Sequence, residues 1–126
     1  MEFSSRRLAD VVVAAPAGQI DHVNAPRFEQ VLEPLVDAAS AGHAPLLLDF
    51  SKVEYISSMG LRVLMVAARQ MRASHAAFAV AALQPTVEEI FEIARFKFVV
   101  DVFPSVRAAL LELSAPGTAA YDAAAT

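Results

Sequence analysis

The sequence predicts a single α/β domain in which a mixed, mostly parallel sheet of four to five strands packs against about four helices. Two observations favour this fold class. Short apolar runs of strand length alternate with amphipathic segments of helical length, which is typical of parallel sheets. The 126 residues are enough for one domain, and 56% of them are hydrophobic, which supports a large core. No internal repeat or interdomain linker interrupts the chain.

Two strands and a helix are expected in the first third of the chain. Residues 2–8 are suited to a short edge strand, and the apolar run Val11–Ala15 is suited to a stronger one. A helix should begin after Asn24, a favourable N-cap residue, and should end near Gly42. Pro34 lies inside this helix and is expected to kink or split it, because proline removes a helical hydrogen bond.

The middle of the chain predicts a buried strand followed by a helix. Pro45–Phe50 is an apolar run interrupted only by Asp49, as expected for a strand covered on both faces. A short polar connector follows it. A helix then begins at Ser57 and Ser58 and continues to about Ala73.

The last third of the chain predicts two more strands and two more helices. In order, they are a strand at Ala77–Leu83, a helix from Pro85 to Ala94, a short strand at Phe98–Val100 and a helix from Pro104 to Leu113. From Ser114 onward alanine, proline, glycine and threonine dominate, and the apolar periodicity is lost. We therefore expect a domain at residues 1–114 and a flexible C-terminal tail at residues 115–126.

The composition narrows the functions that this domain can have. A net charge of −4 and a pI near 5.2 argue against nucleic acid as a partner, because phosphate backbones favour clustered lysine and arginine. The absence of cysteine excludes disulfides and thiolate chemistry. No apolar run approaches the ~20 residues of a membrane helix, and no signal peptide opens the chain. We expect a cytoplasmic protein that does not insert into membranes.

The helix that begins at the two serines has two apolar faces. The face expected to pack on the sheet consists of Leu61, Leu64, Met65, Ala68 and Met71. The opposite face consists of Met59, Val63, Val66 and Gln70, and Arg62 shares a flank with Ser58. An apolar outer face is either covered by another helix or used for binding, and the pattern alone is compatible with both.

The two serines are the main candidates for a functional site. One of them is expected to be the N-cap, which leaves the other exposed at the positive end of the helix dipole. That hydroxyl could carry a phosphate, because the N–H groups of the first turn have no helical acceptor. Gly60 in the same turn costs about 1 kcal/mol relative to alanine, which suggests that another group approaches the backbone closely there.

A second polar feature, the turn at Asp21–Asn24, is expected to lie beside these serines. If the strands that end at Ala15 and Phe50 are parallel neighbours, the loops that follow them emerge at the same edge of the sheet. Asp21 could then bond to a partner or to backbone groups near Ser58. It could equally be only the capping carboxylate of its own turn.

Residues 49–64, DFSKVEYISSMGLRVL, resemble the signature of the STAS domain, and most closely that of the bacterial anti-sigma factor antagonists. The segments GQID at residues 18–21, PTV at 85–87 and FPSVRAAL at 103–110 are similar to other parts of the family pattern. The resemblance covers roughly residues 8–113. It implies that the predicted α/β domain has the STAS fold.

The resemblance also implies which residues act. In that family the phosphate acceptor is the serine two places before the glycine, which here is Ser58. The family commonly has aspartate immediately before the acceptor, whereas this sequence has Ser57, which is therefore the fallback acceptor. Arg95 and Phe96 replace the small or glycine-containing turn that often follows the third helix. The residues expected to contact a partner are Asp21, Asn24, Ser57, Ser58, Met59, Gly60, Arg62, Val63 and Val66.

A protein of that family is a regulator that works by partner switching. When unphosphorylated, it binds an anti-sigma factor that is itself a serine kinase, and so frees a sigma factor for transcription. Phosphorylation by this kinase releases the antagonist, and a PP2C-type phosphatase restores it. The resemblance therefore implies that the chain is not an enzyme and needs no cofactor.

Two other functions stay open. STAS-like domains also occur as docking scaffolds that are not phosphorylated, for example as the small partner of a lipid-transport ATPase. A small hydrolase with Ser58 or Ser57 as nucleophile is the other alternative, but no Gly-x-Ser-x-Gly motif accompanies these serines. The three histidines His22, His43 and His75 have unrelated spacings, which do not predict a metal site.

Overall fold

Residues 1–125 are described by a computed structural model, in which a six-stranded sheet carries helices on both faces. The strands are β1 (Glu2–Leu8), β2 (Val11–Ile20), β3 (Leu46–Asp49), β4 (Lys52–Ile56), β5 (Phe78–Ala81) and β6 (Asp101–Phe103). The helices are α1 (Ala25–Ala41), α2 (Ser58–Ala73), α3 (Pro85–Ile93), α4 (Val106–Leu113) and α5 (Ala115–Ala124), and a 3₁₀ helix spans Phe96–Phe98.

The long strand β2 organises the sheet. It is antiparallel to β1 and parallel to both β3 and β4. Val12–Ala14 pair with β3 and Ala17–Ile20 pair with β4, so β3 and β4 lie one after the other along β2. Beyond β3 the sheet continues through β5 to β6. Because Ile20 pairs with Ile56, the carboxyl ends of β2 and β4 meet at one end of the sheet.

The two faces of the sheet bury separate clusters. The larger cluster lies under α1, α2 and α3, and Phe28, Phe50 and Phe91 are among its largest side chains. The smaller cluster lies under α4 and α5. In β3, Leu46 and Leu48 belong to the first cluster and Leu47 belongs to the second. The strand therefore has no polar face, as its continuous apolar run predicts.

The predicted fold class is confirmed, with more strands and helices than were counted from the sequence. Strand β4 takes the place of the polar connector expected before α2. Val53 and Ile56 of β4 are buried, whereas Lys52, Glu54 and Tyr55 are exposed. This irregular alternation follows from a register shift against β2 at Gly18/Gln19. Such a pattern does not identify a strand in the sequence.

The structure excludes one of the two expected effects of Pro34 and contradicts one predicted strand. Helix α1 is a single 17-residue helix, so Pro34 does not split it. The short strand predicted at Phe98–Val100 is wrong, because Phe96–Phe98 form a 3₁₀ helix and the strand that pairs with β5 is β6. The chain turns at Arg95, whose φ is +54°, and this places the ring of Phe96 against Phe91, with centroids 5.0 Å apart.

The prediction of a flexible tail at residues 115–126 is wrong over Ala115–Ala124, which form α5; Thr126 lies outside the described residues. Ser114 caps this helix, because its hydroxyl accepts the N–H of Gly117 at 2.9 Å. The same hydroxyl donates to Asp10 at 2.5 Å, which joins the cap to the β1–β2 turn. Alanine, proline, glycine and threonine do not predict a helix by composition alone. They are compatible with one here, because Ser114 supplies the cap and proline is tolerated in the first turn.

Exposed polar contacts further attach α5 to its neighbours. Arg107 of α4 makes an ion pair with Asp122 at 3.0 Å, and Arg6 of β1 lies 5.6 Å from the ring centre of Tyr121. The hydrogen bond to Arg107 lowers the pKa of the Asp122 carboxyl. Both members of the ion pair are about half exposed, so the pair orients α5 more than it stabilises the fold.

Helix α2 packs on the sheet through a face close to the predicted one. Leu64, Ala68 and Met71 are buried, as expected. Leu61 and Met65 are only half-buried, and Ala67 is buried in their place. The helix is therefore rotated slightly from the predicted orientation, because α1 covers the side that carries Ala67.

Within residues 1–125, no helix combines the length and the apolar character needed to cross a membrane.

The burial of α2 gives a direct test of the fold. Leu64 is fully buried, so Leu64→Ala should lower the free energy of unfolding by about 2–5 kcal/mol through lost burial and a cavity. Leu111 of α4 is 58% exposed, and Leu111→Ala should change it by no more than about 0.5 kcal/mol. Urea unfolding followed by circular dichroism measures both. Equal effects of the two variants would contradict the assigned core face of α2.

Candidate functional site

The candidate site lies where the ends of β2 and β4 meet the beginning of α2. Ser57 separates β4 from α2, and its N–H donates to the carbonyl of Ile20 at 2.8 Å. Its hydroxyl accepts the N–H of Gly60 at 3.2 Å, so Ser57 is the N-cap of α2. The strand end and the helix start are thereby held together by one residue that has extended backbone angles.

Gly60 permits the helix to approach the strand ends closely. A Cβ atom built at this residue would lie 2.7 Å from Cγ1 of Ile56 and 2.9 Å from Cγ2 of Ile20. These distances are shorter than side-chain carbons tolerate, and both isoleucines are buried. The prediction that a group approaches this backbone is right, but that group is the protein's own core. Gly60 is itself buried, so its assignment to the partner-contacting surface is wrong.

Ser58 is the first residue of α2, and it is exposed. Its side chain makes no hydrogen bond to any residue within 1–125, whereas the hydroxyl of Ser57 is engaged in the cap. No acidic residue occupies the first turn of α2, so a negative charge there would meet the positive end of the helix dipole without repulsion from that turn. Of the two adjacent serines, Ser58 has the hydroxyl that is available for chemistry.

The turn that follows β2 lies beside Ser58, as predicted, because the carbonyl of Ile20 binds Ser57. The carboxylate of Asp21 accepts the N–H groups of Val23 and Asn24, at 3.1 and 2.9 Å. The side chain of Asn24 donates to the carbonyl of Gln19 at 2.8 Å and does not cap α1. Both polar side chains therefore stabilise their own turn, which is the local role left open for Asp21.

This turn presents Val23 to solvent, a residue that was not among those predicted from the sequence. The side chain is 71% exposed, although valine is apolar. A single apolar residue within a polar turn gives no periodic signal, so only its position next to Asp21 and Asn24 could have identified Val23 from the sequence.

The outer face of α2 is partly covered and partly open. Met59 and Val66 are each about half exposed, at 50% and 49%. Val63 is half-buried in a groove between α1 and α2. This apolar face is therefore partly covered by another helix and partly available for binding, since α1 covers one side and the other remains accessible.

A shallow groove continues from Ser58 along the other flank of α2. Met59, Leu61, Arg62 and Met65 form one wall, and Ala94, Phe96 and Val99 form the other. Arg62 lies one helical turn after Ser58 and is exposed. The second wall comes from the segment between α3 and β6, which no sequence motif connects to the serines.

Around Ser58, residues 1–125 show no arrangement that supports the hydrolase alternative. No hydrogen bond within residues 1–125 joins Ser58 to a histidine, and His43 instead contacts the carbonyl of Ser74 at 2.6 Å. The same part of the chain contains no group of three histidine, aspartate or glutamate side chains placed to bind a metal ion.

Comparison with known proteins gives consistent matches. The family model of the STAS domain matches residues 3–109. A protein of Bordetella bronchiseptica named as an anti-sigma factor antagonist, BtrV, is 32% identical over 104 residues, which cover 82% of this chain and 84% of BtrV.

Two solved structures illustrate the likeness of the fold. An anti-sigma factor antagonist from Thermotoga maritima superposes with a TM-score of 0.79 at 22% identity, covering 88% of this chain and 93% of the other. Phosphorylated SpoIIAA, a cell fate determinant of Bacillus, superposes with a TM-score of 0.64 at 15% identity, covering 90% of this chain and all of SpoIIAA.

The close packing at Gly60 can be tested by adding one methyl group. Gly60→Ala should lower the free energy of unfolding by about 1–3 kcal/mol, because the buried isoleucines must move. Gly42→Ala is the matched control, since a Cβ at Gly42 would lie 3.5 Å from the carbonyl oxygen of Ala38, an ordinary contact distance. Chemical denaturation of both variants measures the difference. If Gly60→Ala were as stable as Gly42→Ala, the junction would be looser than described.

Proposed function

Because this chain belongs to the STAS domain family, we propose that it is an anti-sigma factor antagonist whose binding to an anti-sigma factor is controlled by phosphorylation of Ser58. The observation that carries the proposal is that Ser58, at the start of α2, is exposed and that its hydroxyl makes no hydrogen bond to residues 1–125. Met59, the next residue of α2, has an exposed apolar side chain, and the neighbouring turn at Asp21–Asn24 exposes Val23. The name of BtrV and the phosphorylated form of SpoIIAA support this function.

Phosphorylation at Ser58 should change the surface without changing the fold. A phosphoserine carries about −1.5 to −2 charges at neutral pH. At the first position of α2 it meets the positive end of the helix dipole, and its own backbone lies outside the core. The modified protein therefore stays folded, and the added charge acts on whatever binds there.

An interface centred on Ser58 should be sensitive to this charge. Met59, Val66 and Val23 offer an apolar contact surface, and desolvating a dianion next to it is costly. Like charges brought together at an interface cost several kcal/mol, and each 1.4 kcal/mol changes an affinity about tenfold. Charge alone is thus sufficient to separate a complex.

The partners follow from this cycle. The anti-sigma factor is a serine kinase that binds the unphosphorylated chain and phosphorylates it, and a PP2C-type phosphatase reverses the modification. The chain itself is a binding protein and not an enzyme. The cycle uses ATP and controls transcription, so the proposed location is the cytoplasm. Asp21 and Asn24 contribute by holding the turn that presents Val23. Val66 belongs to the contact surface, and Arg62 and Val63 lie beside it on α2.

A permanent docking role is the competing proposal. The exposed apolar face at Met59 and Val66 would serve a STAS scaffold equally well, since such a scaffold needs no modification. The two proposals differ in whether Ser58 is phosphorylated and whether binding responds to it.

The acceptor can be identified by mass spectrometry. We expect a serine-kinase anti-sigma factor from the source organism, with ATP, to add one phosphoryl group to the wild-type chain and to Ser57→Ala. Ser58→Ala should not be modified, because its acceptor oxygen is missing. Ser57→Ala loses the N-cap, at a cost of about 0.5–2 kcal/mol, so circular dichroism should verify that it is folded. Modification of Ser58→Ala would move the acceptor to Ser57 or elsewhere.

Binding to the same kinase should depend on the charge at residue 58. In the presence of ATP, Ser58→Ala should remain bound, whereas the wild type is released as it becomes phosphorylated. Ser58→Asp should bind at least about tenfold more weakly than Ser58→Ala. Isothermal titration calorimetry measures these affinities. If both variants bind as the wild type does and no phosphorylation occurs, the docking role is the correct one.

A further inference from the structure

A basic groove runs along one flank of α2, away from α1. It consists of two adjoining depressions that share Val99. The first begins at Ser58 and Arg62, and the second extends past Arg72 to Lys97. The groove therefore follows α2 over most of its length, from the proposed acceptor to the beginning of β6.

The charge of this groove is opposite to that of the whole chain. Its permanent cations are Arg62, Arg72 and Lys97, and Asp101 is the one carboxylate among its lining residues within 1–125. The chain as a whole has 14 acidic and 10 basic residues. The groove on the other flank of α2 has the opposite character, since its charged lining residues are Glu29 and Glu33. Helix α2 thus lies between two partly apolar grooves whose charged lining residues have opposite signs.

Part of the lining of the basic groove is apolar, and an exposed aromatic side chain lies beside it. The apolar lining includes Met65 and Ala68 on α2 and Val99 on the opposite wall, and Arg72 donates to the carbonyl of Val99 at 3.3 Å, which ties α2 to that wall. Phe98 on that wall is 83% exposed. An exposed phenylalanine beside arginine and lysine can contact an apolar side chain while the cations bind carboxylates.

We propose that the basic groove binds an acidic, partly apolar segment of the serine-kinase anti-sigma factor. This inference rests on the proposed function, since it names a second contact of the same complex. Charge complementarity selects the segment: carboxylates for Arg62, Arg72 and Lys97, and apolar side chains for the apolar lining and Phe98. Negative charge added at Ser58 then acts in the groove itself. It attracts Arg62 one turn away and repels the carboxylates of the segment.

The far end of the groove allows a test that leaves Ser58 unchanged. Lys97→Glu combined with Phe98→Ser should weaken binding of the unphosphorylated chain to the kinase at least about tenfold and reduce its salt dependence. Both side chains are exposed, so the double variant should melt as the wild type does. Arg7→Glu on β1 is the charge-matched control and should bind normally.

The bound segment can be located by cross-linking. The chain has no cysteine, so Lys97→Cys provides a single site for a photoreactive maleimide, and Leu111→Cys on α4 provides the control site. The proposal predicts a cross-link from residue 97 to a kinase segment rich in aspartate or glutamate, and none from residue 111.

The outcomes separate this inference from the proposed function. Normal binding by the double variant, or a cross-link to a basic segment, overturns the groove assignment, while Ser58→Asp can still weaken binding and so support the switch. If Ser58→Asp binds as tightly as the wild type and no phosphorylation occurs, the proposed function fails and the groove assignment fails with it.

Discussion

The hydrogen bond between the N–H of Ser57 and the carbonyl of Ile20 is the contact on which the rest of the site depends. It joins the end of β2 to the start of α2, and the missing side chain of Gly60 lets the helix lie close enough for the bond to form. The turn at Asp21–Asn24 emerges from the same strand end and holds itself together through its own carboxylate. A rigid junction of this kind keeps the first turn of α2 in one place, so that a small chemical change at its surface is presented in a fixed geometry.

The sequence predicted the parts of the fold whose apolar pattern is regular. The run at Pro45–Phe50 is confirmed as a buried strand, and the predicted stripe of α2 is confirmed at Leu64, Ala68 and Met71 but not at Leu61 and Met65. Strand β4 could not be predicted, because its register against β2 shifts and its buried residues do not alternate. The same holds for α5, which depends on a cap by Ser114 and on contacts with β1 that are distant in the sequence.

The candidate site was predictable in its position but not in its details. The two serines before an apolar helix located it. The turn at Asp21 was expected beside them from parallel strands that end at Ala15 and Phe50, but it lies there because the end of β2 pairs with the end of β4. Tertiary contacts decided the rest. Gly60 allows close packing against buried isoleucines, and Val23 adds an exposed apolar side chain. The segment around Phe96, which is far from the serines in sequence, supplies one wall of the groove. No local pattern contains this information, because each role is set by residues from another element.

The N-cap at Ser57 has a consequence for how the two neighbouring hydroxyls are told apart. A phosphotransferase that recognised only side-chain chemistry would meet two identical nucleophiles in a row. The fold removes this ambiguity, because the hydroxyl of Ser57 accepts the N–H of Gly60, whereas Ser58 is exposed to solvent. In the proposed switch, the residue at which α2 begins therefore determines which serine accepts the phosphate. Moving the helix start by one residue would transfer that role to the adjacent hydroxyl.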